Sequence, residues 1–158
     1  MKTLMLGWGN PDREDDGVAW YVLAQTARMV GITPPASYEE PFVNSDVLDF
    51  IFELQLTPEL AVDIGHYDRV ILVDAHTGEK KENVAFQIVE PAFQRSPFTH
   101  HLTAETLMEL VGQVYHKNIP AALISVRGRS FNFHQGLTAE AAADVKLAAQ
   151  LALDWMHR

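Results

Sequence analysis

Residues 68–75 read DRVILVDA: four apolar residues without interruption, with charged residues before them and an aspartate, Asp74, at their end. An unbroken apolar run of this length, rich in β-branched residues and bounded by charge, is a strand covered on both faces. Working outward, Lys2–Leu6, Asn83–Val89 and Ala121–Val126 read as further strands. Helical periodicity covers Val18–Val30, closed by Gly31 as C-cap, a segment from about Thr103 with Leu107, Leu110, Val111 and Val114 on one face, and about Thr138 to Trp155. Val47–Leu54 fits either period. Strands alternating with helices at this spacing predict an α/β sandwich, mostly parallel, with helices on both faces. In such sheets the functional residues collect beyond the strand C-termini. Three stretches answer to that: Gly7–Gly17, Asp74–Gly78 and Arg127–Arg129.

The chain has 158 residues, 47% of them apolar, with no repeat or linker, and fits a single domain over residues 1–158. The absence of cysteine removes thiolate nucleophiles, disulfides, Cys-bound zinc and iron–sulfur clusters from the chemistry it can supply. Its net charge of −9 is concentrated in residues 1–66, a field that repels phosphate backbones and argues against nucleic acid. The opening MKTLMLGWGN is too short an apolar run for a signal-peptide core, and nothing approaches the roughly 20 apolar residues of a membrane span. A cytoplasmic protein without membrane insertion is expected.

Gly7–Gly17, GWGNPDREDDG, stands between a strand and a helix, and Gly7 and Gly9 match the first two glycines of a dinucleotide fingerprint. Glu14, Asp15 and Asp16 fill the place a pyrophosphate would need, so that reading fails. The acids are favourable at a helix start and can cap it; one can do so while the other points over the strand ends. Asp74 can cap the turn Ala75–Gly78, or face another strand-end acid across a cation. His100 and His101 precede a helix N-cap, His76 lies just past Asp74, and His66, His116, His134 and His157 read as surface or helix-end residues. Arg127 and Arg129 flank Gly128, as turn residues or as holders of a carboxylate or carbonyl, the glycine admitting a substrate backbone. No GxSxG supports a serine nucleophile at Ser96, Ser125 or Ser130, and no HExxH is present. Metal-assisted chemistry on O and N ligands remains.

Several segments carry a resemblance: Gly7–Leu23 (GWGNPDREDDGVAWYVL), Gln55–Ala61 (QLTPELA), Asp68–Gly78 (DRVILVDAHTG), Thr99–Leu110 (THHLTAETLMEL), and the late VRG and GLTAEAA. In this order, over nearly the whole chain, they resemble the nickel-iron hydrogenase maturation proteases. The resemblance implies a three-layer α/β/α sandwich with a twisted, mostly parallel sheet of about five strands, and an endopeptidase that removes a C-terminal extension from the precursor of a hydrogenase large subunit once nickel is inserted. It also implies a metal held by a first-turn acid, an acid at the central strand end and a histidine before the following helix. These positions fall on Asp16, Asp74 and His100, which lies seven residues before Leu107; a one-residue gap selects His101 instead. Many relatives carry glutamate where Asp16 stands, one methylene longer. Gln55–Glu59 replaces a glycine-rich loop of the family. With no thiolate ligand, a tightly resident metal is not expected, and nickel would arrive with the substrate. A non-catalytic checkpoint that binds the loaded precursor is the competing class. GWGNP is also similar to the first turn of peptidyl-tRNA hydrolases, but their following histidine motif is absent.

Overall fold

The computed structural model describes residues 1–93 and 102–158. Strand β1 (Thr3–Trp8) leads through a 3₁₀ turn (Glu14–Gly17) into α1 (Val18–Met29), followed by β2 (Leu48–Glu53), α2 (Leu60–Ile64), β3 (Arg69–His76) and β4 (Val84–Ile88). Then come α3 (Ala104–Tyr115), β5 (Ala121–Arg127) and α4 (Ala139–Met156). The five strands form one sheet in the order β2-β1-β3-β5-β4, parallel except for β4, which runs antiparallel to β5. The order turns back at β1, leaving β1 and β3 as neighbours with α1 leaving one strand end and the chain after β3 leaving the next. This is where an open α/β sheet opens a crevice at its C-terminal edge.

Alternation along the strands feeds two separate cores. Met5, Ile71, Val73 and Ile124 face α1 and α4, which contribute Val22, Leu23, Ala148 and Ala152. Leu4, Leu6, Leu72 and Leu123 face α2 and α3, meeting Leu60, Ile64, Leu107 and Val111. Each of the larger aliphatic side chains so buried is worth about 1.5–3 kcal/mol against exposure, which is why β3 carries no polar residue between Arg69 and Asp74 and β5 none before Ser125. Gly7 marks the closest approach of α1 to the sheet: a Cβ there would stand 2.9 Å from the Leu23 side chain and 3.1 Å from Ala19.

Most of the expected elements are present. Gly31 closes α1, its N–H donating to Arg28 O while Ile32 N–H reaches Ala27 O, the paired bonds of a Schellman end. Thr103 caps α3 by accepting from Thr106 N, and Thr138 caps α4 through Ala141 N. Val47–Leu54 resolves as a strand, β2. The short helix α2 is an element that the sequence pattern does not announce. On α3 the expected stripe is shifted: Ala104, Leu107, Met108 and Val111 are buried, whereas Val114 is 59% exposed because α3 turns its last turn to solvent. No described helix is long and apolar enough to cross a membrane.

Candidate active site at the strand ends

A cleft of about 1020 Å³ opens above the C-terminal ends of β1 and β3, on the α2–α3 side. Asp16 from the first turn and Asp74 from the end of β3 both line it, as does the start of α3 from Leu102 to Glu105. Two of the three residues expected to share a site are therefore brought to one cleft from positions 58 residues apart in sequence. His100 and His101, the alternatives for the third, lie outside the described residues, as does Ser96. Among the described residues no three His, Asp or Glu side chains are grouped closely enough to hold an ion.

The local chain explains how Asp16 gets there. Gly9 adopts φ +140°, and a Cβ on it would stand 1.9 Å from the carbonyl oxygen of Asp16, so only glycine lets the turn cross this close to the 3₁₀ segment. Asp16 Oδ2 then accepts the N–H of Asn10 at 2.9 Å, and Asp16 N–H donates to Arg13 O. The side chain is partly exposed, facing the cleft with one backbone donor.

Neither acid caps the helix that follows. The N-cap of α1 is Gly17, without a side-chain bond. Asp15 is instead fully buried and turned the other way, toward the chain after β5. Its Oδ2 accepts Arg129 N at 2.8 Å, Ser130 N at 3.4 Å and the Thr138 hydroxyl at 2.7 Å, while Oδ1 accepts Thr138 N at 2.8 Å. Burial raises its pKa, but these donors outweigh it, and the carboxyl sits below its usual range. Beside it, Glu14 holds φ +48° and is buried, with Oε1 3.2 Å from Nε2 of His134. His134 is an exposed side chain, as expected, yet it partners a buried acid.

Asp74 has a poorer environment. Register pairs it with Ser125, whose hydroxyl donates to Asp74 Oδ1 at 2.5 Å. Burial pushes its pKa up to about 6, against the opposing effects of the Ser125 bond and the nearby Lys80 charge, with Glu79 and Glu105 adding to the rise. A carboxylate short of donors, lining a cleft shared with a second carboxylate, is poised to gain from a cation. Such oxygen donors fit a divalent ion of borderline hardness if imidazole completes the set.

The remaining candidates separate. His76 is buried at 1%, its Nε2 3.0 Å from Glu82 O and its Nδ1 accepting Gly78 N at 3.2 Å, so it pins the turn between β3 and β4 and does not face the cleft. Neither Arg127 nor Arg129 lines the cleft. The Arg129 guanidinium donates to Arg127 O and lies 3.8 Å from Asp144. Gly128 is required by packing and not by a substrate: a Cβ there would meet the Phe131 ring at 2.6 Å and Asp15 Cβ at 3.0 Å. The loop Gln55–Glu59 does reach the site, with Gln55, Thr57 and Pro58 forming one wall. Sequence reasoning missed Ser125, Lys80 and Glu105. Ser125 was the findable one, because it interrupts the apolar strand ALISV at the point opposite Asp74.

A sandwich with this strand order and an acid-lined cleft at its strand ends has the fold seen in nickel-iron hydrogenase maturation proteases. The solved structure of hydrogenase maturating endopeptidase HybD from Escherichia coli matches with a TM-score of 0.71 at 19% identity, over 99% of this chain and 93% of that one. The [NiFe] hydrogenase maturation protease HycI from Thermococcus kodakarensis matches with 0.65 at 18%, over 99% and 93%. A hydrogenase 2 maturation peptidase from a Thaumarchaeota archaeon matches with 0.64 at 21%, over 99% of both chains. No family model and no curated protein matches the sequence.

Proposed function

We propose that this chain is an endopeptidase that removes the C-terminal extension from the nickel-loaded precursor of a nickel-iron hydrogenase large subunit. The observation that supports it is the placing of Asp16 and Asp74 in one cleft, at the strand ends of a fold shared with proteins described as hydrogenase maturation proteases. In this reading nickel is the substrate's cargo. The precursor presents the ion with open coordination positions, and Asp16, Asp74 and His100, or His101 in its place, complete the shell. Asp74 suits this because it is short of hydrogen-bond donors; Asp16 suits it because one backbone N–H fixes its direction without saturating it. Completing a shared shell places the nearby peptide bond in the cleft and makes hydrolysis conditional on loading. The overall reaction adds water across that bond, leaving a new carboxylate on the subunit and an amine on the released peptide.

The test is cleavage of matched precursor, nickel-loaded or stripped with chelator, by protein that has itself been stripped. Processing of the loaded form alone, insensitive to serine- and cysteine-directed inhibitors, is expected. Equal cleavage of the metal-free precursor would remove nickel as the recognition handle. Tight binding of the loaded precursor without cleavage would identify a checkpoint protein.

A further inference from the structure

Asp16, Asp74, Glu79 and Glu105 line the cleft together with a single cation among the described residues, Lys80. An ammonium in such company is drawn toward a carboxylate, more strongly as water is excluded. Lys80 nevertheless makes no ion pair with a described residue. The ion pairs among the described residues are Lys2 with Asp49, Arg129 with Asp144 and His134 with Glu14. Lys80 Nζ donates instead to the neutral amide oxygen of Gln87 on β4, at 3.0 Å. Three of the four acids have other donors: Asp16 has Asn10 N–H, Asp74 has the Ser125 hydroxyl, and Glu79 Oε2 accepts both Thr77 N and Thr77 Oγ1. Lys80 is also partly buried, whereas Lys81 beside it is exposed. An ammonium carries three donors and Gln87 takes one, so two donors, and a charge that Asp74 feels without pairing with it, remain for what fills the cleft.

We propose that Lys80 is a specificity-determining contact that binds a carboxylate of the peptide occupying the cleft. This rests on the endopeptidase reading, in which the occupant is the precursor's C-terminal tail. Among the described residues of a cleft lined by acids, Lys80 is the one cation that attracts a substrate carboxylate. That contact fixes the register of the tail, its attraction acting together with the repulsion of the acids. The carboxylate is either the tail's C-terminus or an acidic side chain within it.

The test is steady-state processing of a nickel-loaded precursor by the wild-type protein, Lys80→Met and Lys80→Arg, with thermal unfolding confirming that each is folded. Lys80→Met is expected to raise KM about tenfold with kcat within about twofold, and Lys80→Arg to recover most of the loss. Two substrate arms separate the sources: a tail ligated with a C-terminal amide, and a tail with its Asp and Glu exchanged for Asn and Gln. The arm that removes the bound carboxylate raises the wild-type KM by the same factor and leaves that of Lys80→Met unchanged. An unchanged KM in Lys80→Met, or wild-type KM values indifferent to both arms, overturns the proposal. Should the wild-type protein process no precursor, the endopeptidase reading fails on its own. Calorimetric titration with the isolated tail peptide then decides Lys80: weaker binding to Lys80→Met supports the contact, and equal binding or none to either protein overturns it.

Discussion

Asp15 and Asp74 are two carboxylates set at strand ends of the same sheet, and the chain treats them in opposite ways. Asp15 is surrounded by donors from a loop more than 100 residues away and ties the first turn to the start of α4. Asp74 has one hydroxyl and a cleft. Burial acts against the charge of both, and the number of donors decides which way each pKa moves: below the usual range for Asp15, up to about 6 for Asp74. The satisfied acid serves the fold. The unsatisfied one is left for a ligand.

The largest expected effect separates them on stability. Asp15→Ala leaves the N–H groups of Arg129 and Thr138 buried without their acceptor, and is expected to cost about 3–4 kcal/mol in chemical denaturation. Asp15→Asn should fare little better, since its NH₂ would face a backbone N–H. Asp74→Asn keeps an acceptor for Ser125 and sheds an unfavourable charge. With the native pKa near 6 against 3.8 unfolded, the ionised form lowers stability progressively as pH rises through this window. Asp74→Asn is therefore expected to exceed the wild type by on the order of 2 kcal/mol at pH 8 and to match it at pH 3. Asp15 carries the opposite sign: its contribution is present above the unfolded pKa and is lost as pH falls through its lower native value. A stability profile in which Asp74→Asn is worse than wild type at pH 8 would break the contrast.

Smaller changes sharpen it. Thr138→Ala removes both the hydroxyl bond to Asp15 and the cap on Ala141 N, for an expected loss of about 1–2 kcal/mol in the same denaturation experiment. His134→Ala removes the partner of Glu14 at an exposed position, so its cost should stay under about 1 kcal/mol and shrink with added salt. A Thr138→Ala loss no larger than that of His134→Ala would show that the Asp15 cluster is not the stronger tie.

The contrast also marks where the sequence is legible. DRVILVDA declares β3 and puts Asp74 at its end, because a continuous apolar run admits a carboxylate only where the strand leaves the core. LDFIFE was ambiguous because Asp49 breaks the apolar pattern. In the fold Asp49 is buried and accepts Ser45 N and Tyr67 OH, with Lys2 at 3.0 Å. Five-residue α2 is too short to show a helical period. The role of Asp15 was hidden for a different reason: its partners lie 114–123 residues further along, and local pattern sees only acids at a helix start. Arg129 and Gly128 look functional by position, yet they are accounted for by the packing around Asp15, Phe131 and Asp144, and Arg127 lies outside the cleft.

The most direct measurement is the rate at which Asp16→Asn and Asp74→Asn process nickel-loaded precursor, at protein concentrations where each variant is shown to be folded. If the two carboxylates complete the shell of the substrate's ion, each variant loses at least about 100-fold in processing rate. Asp74→Asn would do so while being more stable than the wild type at pH 8. Wild-type processing by either variant would contradict a direct role for that carboxylate and, with it, the reading of the cleft as the place where the loaded precursor is recognised.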